Sequence, residues 1–312
     1  MAPLAALALV VGACGSDDPA STESSSGTPT VVATTTIWAD VVRNVACDGL
    51  ANVQTIVPAG GDPHSFEPSL KDRETMSNAA LIVANGLGLE ESMADIVGAV
   101  ESEGVPVVRV GDSVDTIPAG AGEHTDESGD DGHGADDPHI WFDPTRVAAT
   151  LPAIADALGA AGLDPAALDA CVSAYTEQLA TLDTDIAATV ASIPVEQRLL
   201  VTTHDSLSYF ADRYGFEILG SVIPSPSSLS ATNPAELEAL AGVIEQTGVP
   251  TIFAETQHSS ADTQALADRV GNVDVVTLQT DTLGEPGSDT ATYVTWLTTT
   301  AQTIVDALRA DT

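Results

Sequence analysis

From Thr30 onward, short apolar runs alternate with segments whose apolar residues recur every three or four positions. TVVATTT reads as a strand, WADVVRNVACD as a helix and VQTIV as a strand. A helix follows over about 69–78, then LIVAN as a strand, a helix over about 90–101 and VPVVRV as a strand. The alternation resumes with RLLVTT, DSLSYFADRY, FEILGSV, a helix from about Pro234 and PTIFAE. A helix over about 259–271, the strand VDVVTL and a last helix over about 289–309 complete it. Such alternation predicts parallel sheets covered by helices on both faces. The expected fold class is α/β, with two small lobes of mainly parallel sheet.

Between the lobes, LDPAALDACVSAYTEQLATLDTDIAATVASIP carries Leu168, Val172, Tyr175, Leu179, Leu182, Ile186 and Thr189 at alternating steps of four and three. That is the apolar stripe of one long helix. Asp164 and Pro165 stand where an N-cap and first helical residue belong, and Pro194 follows the end. About 29 helical residues at roughly 1.5 Å each reach about 43 Å, the length of both lobes. The expected division is an N-terminal lobe over 30–162, a connecting backbone helix within 163–194 and a C-terminal lobe over 195–312.

Charge narrows the partners. The 312 residues hold 46 acids against 9 Lys and Arg, a formal charge of -37, and Lys71 is the sole lysine. Such a field repels phosphates and anionic headgroups and enriches cations near the surface, so a nucleic-acid partner is not expected.

The N-terminus changes the compartment. LAALALVVGAC is an apolar run too short to span a bilayer, shaped like a secretory signal and ending at Cys14. VGAC resembles a bacterial lipobox, in which cleavage leaves a lipidated cysteine as the new N-terminus, although no Lys or Arg precedes the run. Residues 1–14 are therefore expected as signal peptide with lipobox, and the polar stretch 15–29 as a flexible tether. Setting Cys14 aside leaves Cys47 and Cys171, an even pair in an oxidising compartment, for which a disulfide is expected.

Four candidate ligands stand out: His64 after VQTIV, His139 in DDPHIWFDP, His204 after RLLVTT, and Asp281 after VDVVTL. Singly each has an ordinary reading, as a loop histidine, a core histidine beside Trp141, a helix-start residue and a turn acid. Jointly, three follow predicted strands and two come from each lobe, which places a site at the lobe interface. Three imidazoles and a carboxylate complete a tetrahedron for Zn²⁺ and leave no position for catalytic water. Asp62 and Asp137, two residues before an imidazole, are candidates to orient a ring nitrogen. His258 is read as a surface residue, and Glu255 as a neighbour of the crevice or a competing ligand. The acidic segment 120–137, with His124 and His133, is read as an exposed loop.

The segments VPAGGDPHSFEPSLKD, ANGLGLEESM, DPHIWFDP, THDSLSYFADRYGF, FAET and LQTDTLG, in that order, resemble the zinc-specific solute-binding lipoproteins of bacterial ABC transporters. That family, known as cluster A-I or cluster 9, also includes manganese binders. The resemblance implies two α/β lobes joined by a backbone helix, metal between them, and delivery to a membrane permease. His64, His139 and His204 match the family's histidine ligands and Asp281 its acidic fourth ligand. Manganese members commonly carry glutamate where His204 stands, and imidazole suits zinc, so Zn²⁺ is the expected cargo. The loop with His124 and His133 resembles the auxiliary metal-gathering loop of zinc members. The expectation is thus a monomeric, lipid-anchored, extracytoplasmic zinc carrier of an ABC importer, without catalysis. The competing classes are a manganese or iron carrier of the same family, a surface lipoprotein adhesin, and a zinc hydrolase in which water replaces Asp281.

Overall fold

A computed structural model describes residues 28–47, 49–120 and 136–309. Cys14, the signal region, most of the tether, His124 and His133 lie outside the described residues.

The N-terminal sheet holds β1 (Thr30–Ala33), β2 (Asn52–Thr55), β3 (Leu81–Ala84) and β4 (Val107–Arg109), all parallel, in the order β2-β1-β3-β4. Three helices belong to it: α1 (Thr36–Val45), α2 (Leu70–Ser77) and α3 (Ala94–Ser102). The C-terminal sheet repeats the arrangement with β5 (Leu199–His204), β6 (Glu217–Ile223), β7 (Thr251–Glu255) and β8 (Asp274–Leu278), in the order β6-β5-β7-β8. In both sheets the strand order reverses beside the first strand, between β1 and β3 and between β5 and β7. Such a reversal opens a crevice at the carboxyl ends of the strands, where α/β proteins bind ligands. The chain therefore builds two crevices of the same kind.

Two long helices separate the sheets in sequence, α4 (Pro144–Ala160) and α5 (Pro165–Val190). Each starts on an Asp-Pro pair: Asp143 accepts the Thr145 N–H and Asp164 that of Ala166, while proline occupies the first turn, where its missing N–H has no helical partner to lose. The connector α5 buries Leu168, Cys171, Tyr175, Leu179, Leu182, Ile186 and Val190. The stripe departs from the sequence reading at two places, with Cys171 rather than Val172 and Val190 rather than Thr189 turned fully inward. At 26 residues it spans about 39 Å. Helix α4 is an element the sequence pattern did not reveal. Its stripe of Val147, Leu151, Ile154 and Leu158 is regular, but Pro152 interrupts the pattern.

The C-terminal lobe is completed by α6 (Ser208–Tyr214), α7 (Pro234–Thr247), α8 (Ala261–Val270) and α9 (Tyr293–Arg309). One apolar core runs without a break from Val31 and Trp38 in the first lobe, through Trp141 and the connector stripe, to Phe253 and Trp296 in the second. The lobes thus share a core rather than touch across a wet seam. Cys47, just past α1, is bonded to Cys171 of the connector with their Cα atoms 5.6 Å apart, as parity predicted.

Candidate metal centre

Both Asp-Pro-His segments fold alike. Asp62 accepts the His64 backbone N–H at 2.9 Å and Asp137 accepts that of His139 at 2.9 Å, each an Asx turn reaching two residues on with proline between. The turn fixes the backbone that carries the imidazole, and both rings are buried. From the other lobe His204, the last residue of β5 beside the strand-order reversal, projects a third buried ring.

The three rings meet at their Nε2 atoms. His139 Nε2 lies 3.4 Å from His64 Nε2 and 3.2 Å from His204 Nε2. On the opposite edge, His139 Nδ1 donates to Asp137 at 2.7 Å and His204 Nδ1 donates to Glu255 at 2.5 Å. With the Nδ1–H groups of His139 and His204 committed to carboxylates, the Nε2 edges of the three rings are turned toward one point, and loss of the remaining Nε2 proton leaves lone pairs there for a cation. Nitrogens about 2.0–2.1 Å from a tetrahedral ion stand about 3.3–3.4 Å apart, the spacing that these rings show. The donor set therefore fits a divalent metal.

Asp281 follows β8 by three residues and is also fully buried. Its carboxylate stands off from the close imidazole trio, and both of its oxygens are buried without a hydrogen-bond partner. Burial pushes its pKa up to about 7, even with the His204 ring working in the opposite direction. A buried carboxylate without hydrogen bonds is costly as an anion. A metal ion in reach of the trio would give it the partner it lacks.

Electrostatics separate the three imidazoles. Burial, with the His139 ring beside it, drives His64 down to about 2, and burial holds His139 well below the ordinary histidine range. Burial opposes charge on His204 too, but the Glu255 carboxylate outweighs it and lifts the ring to about 9. Two imidazoles thus stay neutral at physiological pH, and the third carries a proton that an incoming metal displaces.

Of the two acids read as ring-orienting, Asp137 does so. Asp62 does not: it binds the His64 backbone, leaving His64 Nδ1 unpartnered, and its second oxygen accepts Ser65 Oγ at 2.6 Å and, across the cleft, Ser228 Oγ at 2.8 Å. Glu255, at the end of β7, is the orienting group of His204 and also accepts Ser206 Oγ at 3.1 Å. Its place at the end of a predicted strand marked it in the sequence as a neighbour of the crevice. His258 is a correction: it is largely buried, with its ring 5.3 Å from that of His204 and its Nε2 3.4 Å from Glu255. The turn after β7 brings it back over the crevice, three residues from Glu255, where a surface helix start was read.

The support beneath the site reaches further. Glu90 accepts Thr34 Oγ1 at 2.8 Å and the Asn85 N–H at 2.7 Å, and Asn85 in turn donates from Nδ2 to the Pro138 carbonyl at 2.9 Å and accepts Trp38 Nε1 at 2.9 Å. This network ties the ends of β1 and β3 to the residue before His139. Sequence reasoning missed it because each partner is ordinary alone and only the parallel pairing of β1 with β3 brings them together.

Residues 31–307 match the family model described as zinc-uptake complex component A, periplasmic. The chain belongs to this family. It is similar to the zinc-binding protein TroA of Treponema pallidum, at 33% identity over 314 residues, covering 97% of this chain and 96% of the relative. It is also similar to the manganese-binding lipoprotein MntA of Halalkalibacterium halodurans, at 30% identity over 304 residues, covering 97% and 95%. The solved structure of periplasmic TroA shares the fold at a TM-score of 0.78 and 32% identity, over 90% of this chain and 99% of that one. A manganese-bound periplasmic metal-binding protein from Candidatus Liberibacter asiaticus matches at a TM-score of 0.76 and 26% identity, with 90% and 99% coverage. The family thus holds relatives named for either metal, built on the same two parallel-sheet α/β lobes.

Proposed function

We propose that the chain is the extracytoplasmic zinc-binding component of an ABC importer, holding Zn²⁺ between its lobes on His64, His139, His204 and Asp281 and presenting it to a membrane permease. The observation that carries this reading is the meeting of three Nε2 atoms, from both lobes, at the edge spacing of a zinc tetrahedron. An all-imidazole trio favours zinc over manganese, which prefers oxygen. The buried carboxylate of Asp281, lacking any other partner, supplies the fourth donor and closes the shell against water. A closed shell suits a carrier and not a hydrolase. Membership of the periplasmic family supports capture outside the cytoplasm, and the lipobox-like VGAC ending at Cys14 supports a lipid anchor. The net charge of -37 concentrates cations near the protein. The acidic segment that carries His124 and His133, outside the described residues, is proposed as an auxiliary, lower-affinity metal-gathering site.

Manganese is the second reading, favoured by the resemblance to a manganese-binding lipoprotein at nearly the same identity and by the oxygen donors Asp281 and Glu255 at the site. Competitive titration of metal-free protein separates the two. Zinc is expected to bind at least 100-fold more tightly than manganese, and His204→Ala to weaken zinc by a similar factor. Tighter manganese binding, or zinc affinity unaltered in His204→Ala, overturns the assignment.

A further inference from the structure

Among the described residues, one other set of nitrogen and oxygen donors lies at mutual ligand distance: His204, Glu255 and His258. It shares His204 with the interlobe trio but uses the opposite edge of the ring. Glu255 Oε2 is 2.5 Å from His204 Nδ1 and 3.4 Å from His258 Nε2, and that His258 nitrogen is buried without a hydrogen bond. All three side chains belong to the C-terminal lobe, two ending the strands that flank the reversal point and the third on the turn that follows. The interlobe trio, in contrast, draws two of its three rings from the first lobe. His258 keeps 13% of its side chain exposed against 0% for His204, so the second set opens outward.

We infer that His204 Nδ1, Glu255 and His258 Nε2 form a second, weaker divalent-metal position on the C-terminal lobe alone, which takes the ion when the first lobe's histidines withdraw. A neutral imidazole has one lone pair, so His204 serves one position at a time. In the closed arrangement Nε2 holds metal and Nδ1–H is donated to Glu255. In the second, the metal leaves Nε2 for Nδ1 and the proton that Nδ1 gives up ends on Nε2, so His204 stays neutral throughout. Glu255 exchanges that proton's hydrogen bond for the metal, and His258 supplies a ligand that the interlobe site never uses. The metal then leaves by stages, with one ring retained at each.

This inference rests on the interlobe reading, and the experiment separates the two. In the full chain, His64→Ala with His139→Ala removes the first lobe's ligands, and cobalt(II) serves as the probe, through its visible absorption. The double variant is expected to retain one cobalt, bound at least tenfold more tightly than when His258→Ala is added, while adding Asp281→Ala changes affinity less than threefold. If the alanine pair folds poorly, His64→Leu with His139→Leu keeps the volume and gives the same comparison. A double variant that holds no cobalt, or whose residual site depends on Asp281 and not on His258, overturns the second position. The interlobe reading is judged separately, on zinc uptake by the unaltered chain.

Discussion

Asp281 ties stability to pH through its burial. Its folded pKa of about 7 lies above the ordinary aspartate value, because burial opposes the anion. A raised acid stabilises the fold most below its unfolded value, near pH 4, and that contribution is lost as pH rises through about 7. Metal-free protein should therefore fall in stability relative to its Asp281→Asn variant between pH 4 and pH 8, by on the order of a few kcal/mol. Thermal melts of both proteins across that range measure it, and zinc should stabilise the unaltered chain more than the variant at pH 8. A difference independent of pH would show that the carboxylate already has a partner. The same logic applies to the two Asp-Pro-His turns, whose aspartates hold backbone amides and leave the Nε2 atoms free to face inward.

At the scale of elements, the disulfide from the end of α1 to the connector α5 fixes the first lobe against the backbone helix. Cross-linking a loop of 124 residues is worth about 4–5 kcal/mol in the chain-entropy model. Replacing Cys47 and Cys171 by serine should lower the denaturant midpoint accordingly, with zinc affinity changed by less than about threefold because neither sulfur touches the site. A large loss of affinity would mean that the connector positions the ligands directly. This bond was legible from cysteine parity, as the strands and the connector were from periodicity. The four candidate ligands were legible because three follow strands and a chain of alternating strand and helix puts strand ends at a crevice. What stayed hidden depends on lateral pairing. The bond of Glu255 to His204 and the Asn85–Glu90 network act through neighbouring strands, and His258 acts through a turn that doubles back, none of which leaves a local periodic trace. Helix α4 was hidden by Pro152, which carries no N–H for the helical ladder and so reads as a break.

For the whole molecule, the continuous core decides how far the lobes can move. Trp141, Phe142, Trp296 and Tyr293 form a chain of aromatic contacts across the join, and Tyr293 donates to the Trp141 carbonyl at 2.7 Å. Polar bridges flank the cleft as well: Tyr209 donates to the Asp137 carbonyl at 2.7 Å, Thr282 accepts the Gly60 N–H at 2.9 Å, and Trp141 Nε1 donates to the Thr280 carbonyl at 3.1 Å. An apolar interface of this extent, with a helix as connector, permits a small rotation and local movement of loops rather than a wide hinge. Small-angle scattering of metal-free and zinc-loaded protein should accordingly give radii of gyration within about 1 Å of each other. A larger contraction on loading would place the hinge elsewhere than α5.

The central claim is a single zinc ion held between the lobes by four named side chains. Crystals of the zinc-loaded chain, with diffraction recorded on both sides of the zinc absorption edge, test it most directly. The expected result is one strong anomalous peak bonded to Nε2 of His64, His139 and His204 and to the Asp281 carboxylate, at about 2.0–2.2 Å. A peak lying elsewhere, or a water molecule in the place of Asp281, would contradict it.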